Sequence, residues 1–95
     1  MQDMQERNAA VRGKTVLITG ASRGIGAATA RRFAAAGAIL GLAGRPSSAL
    51  QAVAAETGAR LIPCDVADAA QVTAAVQAMG RLDVLINNAG LIDPI

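Results

Sequence analysis

Aromatic side chains and histidine are nearly absent from this chain of 95 residues. It contains no tryptophan, tyrosine or histidine, and Phe33 is its one aromatic residue. Its nine basic and seven acidic residues give a formal charge of +2, and the basic residues form no cluster beyond Arg31 and Arg32. Because nucleic-acid surfaces combine clustered positive charge with stacking side chains, we expect no nucleic-acid partner. Without histidine, the commonest acid or base near neutral pH is also excluded.

Cysteine and long apolar runs are equally scarce. Cys64 is the only cysteine, so an internal disulfide is excluded, and we interpret it as a small buried residue at a strand end. No apolar run approaches the roughly 20 residues of a membrane span, and residues 1–12 form a polar leader unlike a signal peptide. We therefore expect a cytoplasmic protein with no membrane partner, and we predict no metal site.

Small and apolar residues dominate what remains. Apolar residues make up 53% of the chain and glycine contributes 10 positions, a composition suited to helices packed closely on a sheet. Apolar runs of strand length alternate with segments of helical periodicity. The predicted strands cover residues 13–19, 39–43, 60–64 and 82–86, and the predicted helices cover residues 25–36, 48–56 and 68–79.

This alternation predicts an α/β fold, a Rossmann-type doubly wound parallel sheet covered on both faces. The expected strand order is 3-2-1-4, with ligands bound at the boundary between strands 1 and 4. Pro63 cannot donate to a sheet ladder and favours an edge position for strand 3. The first helix has apolar positions at helical spacing, which indicate its inward face: Ile25, Ala28, Thr29, Phe33 and Ala36.

A glycine-rich turn follows the first predicted strand, with Gly20, Gly24 and Gly26 between the strand and the first helix. Glycines let the backbone turn sharply and approach a pyrophosphate, and the helix that follows directs its free N–H groups at phosphate oxygens. Glycines also serve tight turns that bind nothing, so this turn alone leaves both interpretations open.

Two motifs together are more specific. Residues 19–26 read T-G-A-S-R-G-I-G and residues 87–90 read N-N-A-G, and in this order they resemble the short-chain dehydrogenase/reductase family of the classical type. The resemblance extends from about Val11 to Gly90. It implies that residues 13–95 are the N-terminal part of an NAD(P)-binding Rossmann domain, truncated after the fourth strand.

The resemblance also implies roles for individual residues. The three glycines would shape a dinucleotide cradle, and Ser22 with the N–H groups around Ile25 would lie against the phosphates. Asp65 would accept from the adenine amino group with Val66 packed on the ring, although Asp65 also suits a turn or cap. The remaining members of the implied site would border the adenosine ribose and support the central sheet: Asn87, Ala89 and Gly90.

Charge at the end of the second strand favours one cofactor. An acid there holds the ribose hydroxyl of NAD, whereas an arginine accommodates the 2′-phosphate of NADP. Gly44 stands where the acid would be, Arg45 follows it, and Arg23 lies within the glycine turn. We therefore predict that NADP(H) is preferred over NAD(H), the alternative being two solvated surface arginines.

Catalytic residues are not found in this chain. The family resembled uses a serine and a Tyr-x-x-x-Lys arrangement, but the chain has no tyrosine, and Lys14, before the first strand, is its only lysine. By resemblance, the complete protein would transfer a hydride between NADPH and a carbonyl or alcohol substrate, as a homo-oligomer. The alternative is a non-catalytic nucleotide-binding module or an inactive truncation product, and we expect no activity from these 95 residues alone.

Overall fold

Strands and helices alternate throughout the computed structural model, which describes residues 10–88. The four strands are all parallel and lie in the order β3-β2-β1-β4, which confirms the predicted Rossmann-type fold. The strands are β1 (Thr15–Thr19), β2 (Ile39–Gly44), β3 (Arg60–Pro63) and β4 (Val84–Asn87), and the helices are α1 (Gly24–Ala35), α2 (Ser48–Thr57) and α3 (Ala69–Ala78).

Both faces of the sheet are covered because side chains of successive strand residues point to opposite sides. On β1, Val16 and Ile18 belong to the cluster formed with α1 and α2, whereas Leu17 belongs to the cluster formed with α3. All three side chains are fully buried. The α3 side is completed by Ala43, Ile62, Cys64 and Ala75, with Val72, Val76, Met79 and Leu82 packed against them.

Small residues on β2 allow α3 to approach the sheet closely. Gly41 lies under Met79, and a Cβ atom added to Gly41 would overlap the Met79 sulfur and lie 2.9 Å from its Cε. The atoms met are the flexible end of the Met79 side chain, so a larger residue at position 41 would require this side chain to move. The abundance of small residues in the sequence thus has a direct packing consequence.

Local sequence explains how α2 and α3 begin. Ser47 precedes α2 and its Oγ accepts a hydrogen bond of 3.0 Å from the Leu50 N–H. Asp68 precedes α3 and its carboxylate accepts from the N–H groups of Ala70 and Gln71. These are the side chains expected at helix N-termini, because their oxygen atoms satisfy N–H groups that have no partner inside the helix.

The structure confirms the edge position of Pro63, since β3 is the outermost strand on its side of the described sheet. The predicted inward face of α1 is confirmed at Phe33, which packs against the core, and at Ala36, which is buried just after the helix, but it is wrong at Ile25 and Ala28. Ile25 is 76% exposed, and the buried residues of α1 are Gly26, Ala27 and Ala30. The first turn is oriented by the contact between Gly26 and the preceding loop, which turns Ile25 outward.

Strand β4 begins two residues later than predicted and ends one residue later. The Asp83 side chain bonds to the start of β1, so Leu82 and Asp83 form a connection instead of a strand. At the other end, Asn87 pairs with Thr19 in the parallel register. Within residues 10–88 no helix has both the length and the apolar character needed to cross a bilayer.

Candidate functional site

A cleft of about 280 Å³ opens at the carboxyl edge of the sheet. Its walls come from the loop after β1, the end of β2, the start of α2 and the segment after β3. Ligands of doubly wound folds bind at this edge, outside the carboxyl ends of the strands. The cleft is lined by Gly20, Ala21, Ser22, Ala43, Gly44, Arg45, Ser47, Leu50 and Val66.

The predicted site residues fall into two groups in the structure. Four of them line the cleft, namely Gly20, Ser22, Arg45 and Val66. The others described do not line it and lie at the start of α1, after β3 or at the end of β4: Arg23, Gly24, Ile25, Gly26, Asp65 and Asn87. Ala89 and Gly90 lie outside the described residues, and their roles stay predictions.

The glycines of the loop are needed for two different reasons. Gly20 and Gly24 have φ angles of 68° and 62°, in the left-handed region that other residues rarely adopt. Gly26 is required by space, because a Cβ there would collide with the Gly20 carbonyl oxygen and lie 2.7 Å from Asn88 Nδ2. The loop is thereby folded tightly against the beginning of α1.

The start of α1 differs from the starts of the other two helices. Arg23 occupies the N-cap position with extended backbone and makes no side-chain capping bond, and the first turn carries no acidic residue. Its N–H groups therefore have no side-chain acceptor among the described residues, whereas Ser47 and Asp68 cap α2 and α3. Unpaired N–H groups and the positive end of the helix dipole favour an anion at this position.

The two arginines chosen from the sequence are placed differently. Arg45 follows β2, is exposed, and forms part of the cleft wall. Arg23 is exposed at the start of α1 and is not part of that wall. Gly44, also in the wall, brings no carboxylate. The cleft thus has a cationic side at the end of β2, while convergence of both arginines on one phosphate stays a prediction.

Asp65 is half-buried in the turn between β3 and α3. Its Oδ1 accepts a hydrogen bond of 3.0 Å from the Ala67 N–H, and its own N–H donates to Gln71 Oε1 at 2.7 Å. These bonds fit the turn interpretation of Asp65. They leave Oδ2 with no hydrogen bond to another described residue, so binding to an adenine amino group stays a prediction.

Cys64, beside Asp65, is a buried free thiol. Burial raises its pKa above the ordinary value, and the negative charges of Asp65 and Asp68 raise it further. The thiol is therefore protonated at neutral pH and behaves as a small apolar residue, as the sequence interpretation expected. In the described part of the chain, no three histidine, cysteine, aspartate or glutamate side chains gather as metal ligands would.

Two asparagine side chains join the end of β4 to the end of β1. The Thr19 hydroxyl donates to Asn87 Oδ1 at 2.9 Å, and Asn88 Nδ2 donates to the Gly20 carbonyl oxygen at 3.1 Å. Sequence reasoning assigned a role to Asn87 but missed Asn88. Its place inside the N-N-A-G motif was the one available signal, because the pairing with Gly20 spans 68 residues.

These features define the chain as a Rossmann-type α/β protein with a glycine loop, an uncapped helix start and a cationic cleft at the nucleotide-binding edge. The family model for short chain dehydrogenases matches residues 14–94. The chain therefore belongs to the short-chain dehydrogenase/reductase family, whose members are oxidoreductases that use nicotinamide cofactors.

Relatives within the family differ in function. The chain is 43% identical over 88 residues to D-threitol dehydrogenase of Mycolicibacterium smegmatis, covering 83% of this chain and 34% of that protein. It is 48% identical over 80 residues to the cyclic-di-GMP-binding biofilm dispersal mediator protein of Escherichia coli, again covering 83% and 34%. The chain thus spans about a third of the length of these two relatives.

Among solved structures, the 3-ketoacyl-(acyl-carrier-protein) reductase of Brucella melitensis complexed with NADH is similar to this chain. The TM-score is 0.71 at 37% identity, with 79% of this chain and 33% of the reductase covered. The likeness therefore extends to the backbone of the described sheet and helices.

Proposed function

We propose that this chain is the NADP(H)-binding portion of a short-chain dehydrogenase/reductase. The complete protein would transfer a hydride between NADPH and a carbonyl or alcohol substrate. The observation that carries the proposal is the grouping of three features at one edge of the sheet. These are a glycine loop with positive φ angles, a helix start without a side-chain cap, and a cleft with Arg45 in its wall.

The residues present suit a dinucleotide. A pyrophosphate would accept hydrogen bonds from the first-turn N–H groups of α1, with the close approach that Gly20 and Gly24 permit. The cleft of about 280 Å³ lies just below the usual range for ligand pockets, about 300–1,000 Å³, so we assign it to the adenosine half. Val66 would pack on the adenine ring, and when bound the cofactor would supply or accept the hydride.

Preference for NADP(H) follows from charge in this proposal. An Arg45 guanidinium can donate two parallel hydrogen bonds to a phosphate, and no carboxylate at position 44 repels the 2′-phosphate. The reductase of known structure is complexed with NADH, which makes a comparison of the two cofactors the decisive measurement.

Catalysis needs groups that this chain does not contain. A carbonyl reduced by hydride also takes up a proton, and the chain has neither tyrosine nor histidine to hold it. We propose that residues 1–95 bind and orient the cofactor, and that the proton donor belongs to a further part of the complete protein. A cytoplasmic location and a homo-oligomeric parent remain predictions.

A second candidate is a nucleotide-binding module without catalysis. Its support is the relative named for binding cyclic-di-GMP, which is 48% identical over 80 residues. Competition separates the two candidates. If cyclic-di-GMP displaces bound NADP+ at micromolar concentrations and NADPH is not oxidised by the complete protein with any carbonyl tested, the regulatory module is favoured.

The test of the proposed function is a titration with NADP+ and with NAD+, comparing wild type, Arg45→Asp and the control Arg32→Asp. Loss of one charge-assisted hydrogen bond costs about 1.5–3 kcal/mol, so R45D should weaken NADP+ binding roughly tenfold to a hundredfold and invert the preference. Arg32 is exposed near the end of α1, and R32D makes the same charge change outside the cleft. This control variant should keep the wild-type preference for NADP+. If the ratio of NADP+ affinity to NAD+ affinity were the same in wild type and R45D, the predicted role of Arg45 in cofactor preference would be refuted.

A further inference from the structure

We propose that Asn88 is a positioning residue for dinucleotide binding, which holds the glycine loop in its binding geometry from the end of β4. Its Nδ2 donates to the Gly20 carbonyl oxygen at 3.1 Å, and the residue is half-buried. This inference rests on the proposed function, because the geometry it concerns is that of the loop expected to receive the pyrophosphate.

The Gly20 carbonyl is the point where three elements of the structure meet. Gly20 leaves β1 with a φ angle of 68°, which sets the direction of the loop. Gly26, in the first turn of α1, packs so closely that a Cβ would strike the Gly20 oxygen and lie 2.7 Å from Asn88 Nδ2. One carbonyl oxygen therefore fixes the distance between the loop, α1 and the end of β4.

Removing the Asn88 donor would leave this carbonyl without the one side-chain partner it has among the described residues. A carbonyl freed in this way can rotate, and its peptide carries the loop that leads into α1. The N–H groups at the start of α1 lack a cap, so their alignment depends on the loop. Asn88 thus acts on the pyrophosphate subsite through Gly20, without needing contact with the ligand.

Arg45 reaches the cleft from a different strand than the contact between Asn88 and Gly20, although Gly20 lines the same cleft. Arg45 follows β2 and joins the cleft wall together with Ser47 and Leu50, on the side of the sheet edge away from β4. Disturbing Asn88 should therefore impair recognition of the pyrophosphate while recognition of the adenosine 2′-phosphate is kept. General loss of folding would impair both.

The experiment compares binding of NADP+ and of 2′-AMP, which has the adenosine 2′-phosphate and no pyrophosphate, to the full chain. Asn88→Asp replaces the donor by a carboxylate of the same size facing a carbonyl oxygen, and Asn88→Ala removes the donor without adding charge. Gln77→Glu, on the exposed side of α3, controls for charge, and Val53→Ala, in the buried cluster under α2, controls for lost stability.

We expect both Asn88 variants to weaken NADP+ binding about tenfold, the effect of one hydrogen bond at the upper end of the usual range, and to bind 2′-AMP within twofold of wild type. Amide exchange should quicken at residues 20–27 and stay unchanged in α2. Unchanged NADP+ affinity, or equal losses for both ligands, would overturn the positioning role. Failure of wild type to bind either ligand would instead overturn the proposed function.

Discussion

The two ends of the β1–β4 pair are both tied by side chains, but with opposite chemistry. At the amino end, Asp83 Oδ2 accepts from the Thr15 N–H at 2.9 Å, and the Asp83 N–H donates to the Thr15 carbonyl oxygen at 2.9 Å. At the carboxyl end, Asn88 Nδ2 donates to the Gly20 carbonyl oxygen. A carboxylate therefore serves one end and a neutral amide serves the other.

Backbone polarity explains the difference. The first residue of a strand presents an N–H group that needs an acceptor, and the residue after the strand presents a carbonyl that needs a donor. The consequences also differ. The described cleft is formed at the carboxyl end, where no carboxylate of β4 would repel an anionic ligand, whereas the charged amino end makes the stability of the pair depend on pH.

The largest expected effect comes from Gly26→Ala at the carboxyl end. The added Cβ would overlap the Gly20 carbonyl oxygen, so the loop and α1 must separate. Overpacking of this kind costs about 1–3 kcal/mol, and more when backbone is struck, so we expect about 3 kcal/mol by urea denaturation and loss of NADP+ binding. A variant with wild-type stability would show that the loop yields more readily than its geometry indicates.

Gly24→Ala should have a smaller effect at the same end, for a conformational reason. Gly24 has a φ of 62° and nothing lies within 4 Å of a Cβ added there, so only the left-handed backbone opposes the change. We expect a loss of about 1–2 kcal/mol in free energy of unfolding. Gly24→Asn is the matched control, since asparagine tolerates this conformation better. Equal losses for alanine and asparagine would contradict the conformational explanation.

The smallest expected effect is at the amino end, from Asp83→Asn. The hydrogen bond from Thr15 lowers the pKa of the Asp83 carboxyl below its ordinary value, with a further contribution from the positive charge of Arg81. The substitution keeps the size and removes the charge, so we expect a slight decrease in Tm at neutral pH with NADP+ affinity unchanged. A change in affinity would show that the two ends are not independent.

The same carboxylate predicts a pH dependence. Because its folded pKa is lowered, its stabilising contribution is fully present above the unfolded value, about 4. It is lost as the pH falls through the lower folded pKa. The difference in Tm between wild type and D83N should therefore be constant from pH 7 to pH 5 and shrink towards pH 3. A difference in Tm that does not shrink as the pH falls below the unfolded pKa would assign the effect of D83N to packing.

Much of the fold could be predicted because its determinants are local. The apolar run Val16-Leu17-Ile18 and the alternation of strands with helices indicated a parallel sheet buried on both faces. Because crossover connections between parallel strands are right-handed, the strand order 3-2-1-4 was the expected one. Ser47 and Gly58 are residue types favoured at helix starts and stops, and they lie at the N-cap and the left-handed C-cap of α2. Such signals act within a few residues and can be recognised without knowledge of contacts between distant residues.

The order of the elements, the family and the glycine loop could be read from the chain alone, since they depend on composition, periodicity and neighbouring residues. Three features depend on contacts within the folded molecule: the outward position of Ile25, the bond between Asp83 and the start of β1, and the bond between Asn88 and Gly20. The last two pairs are each 68 residues apart. Their meeting depends on the register of β4 against β1, and register is set by packing of the whole sheet.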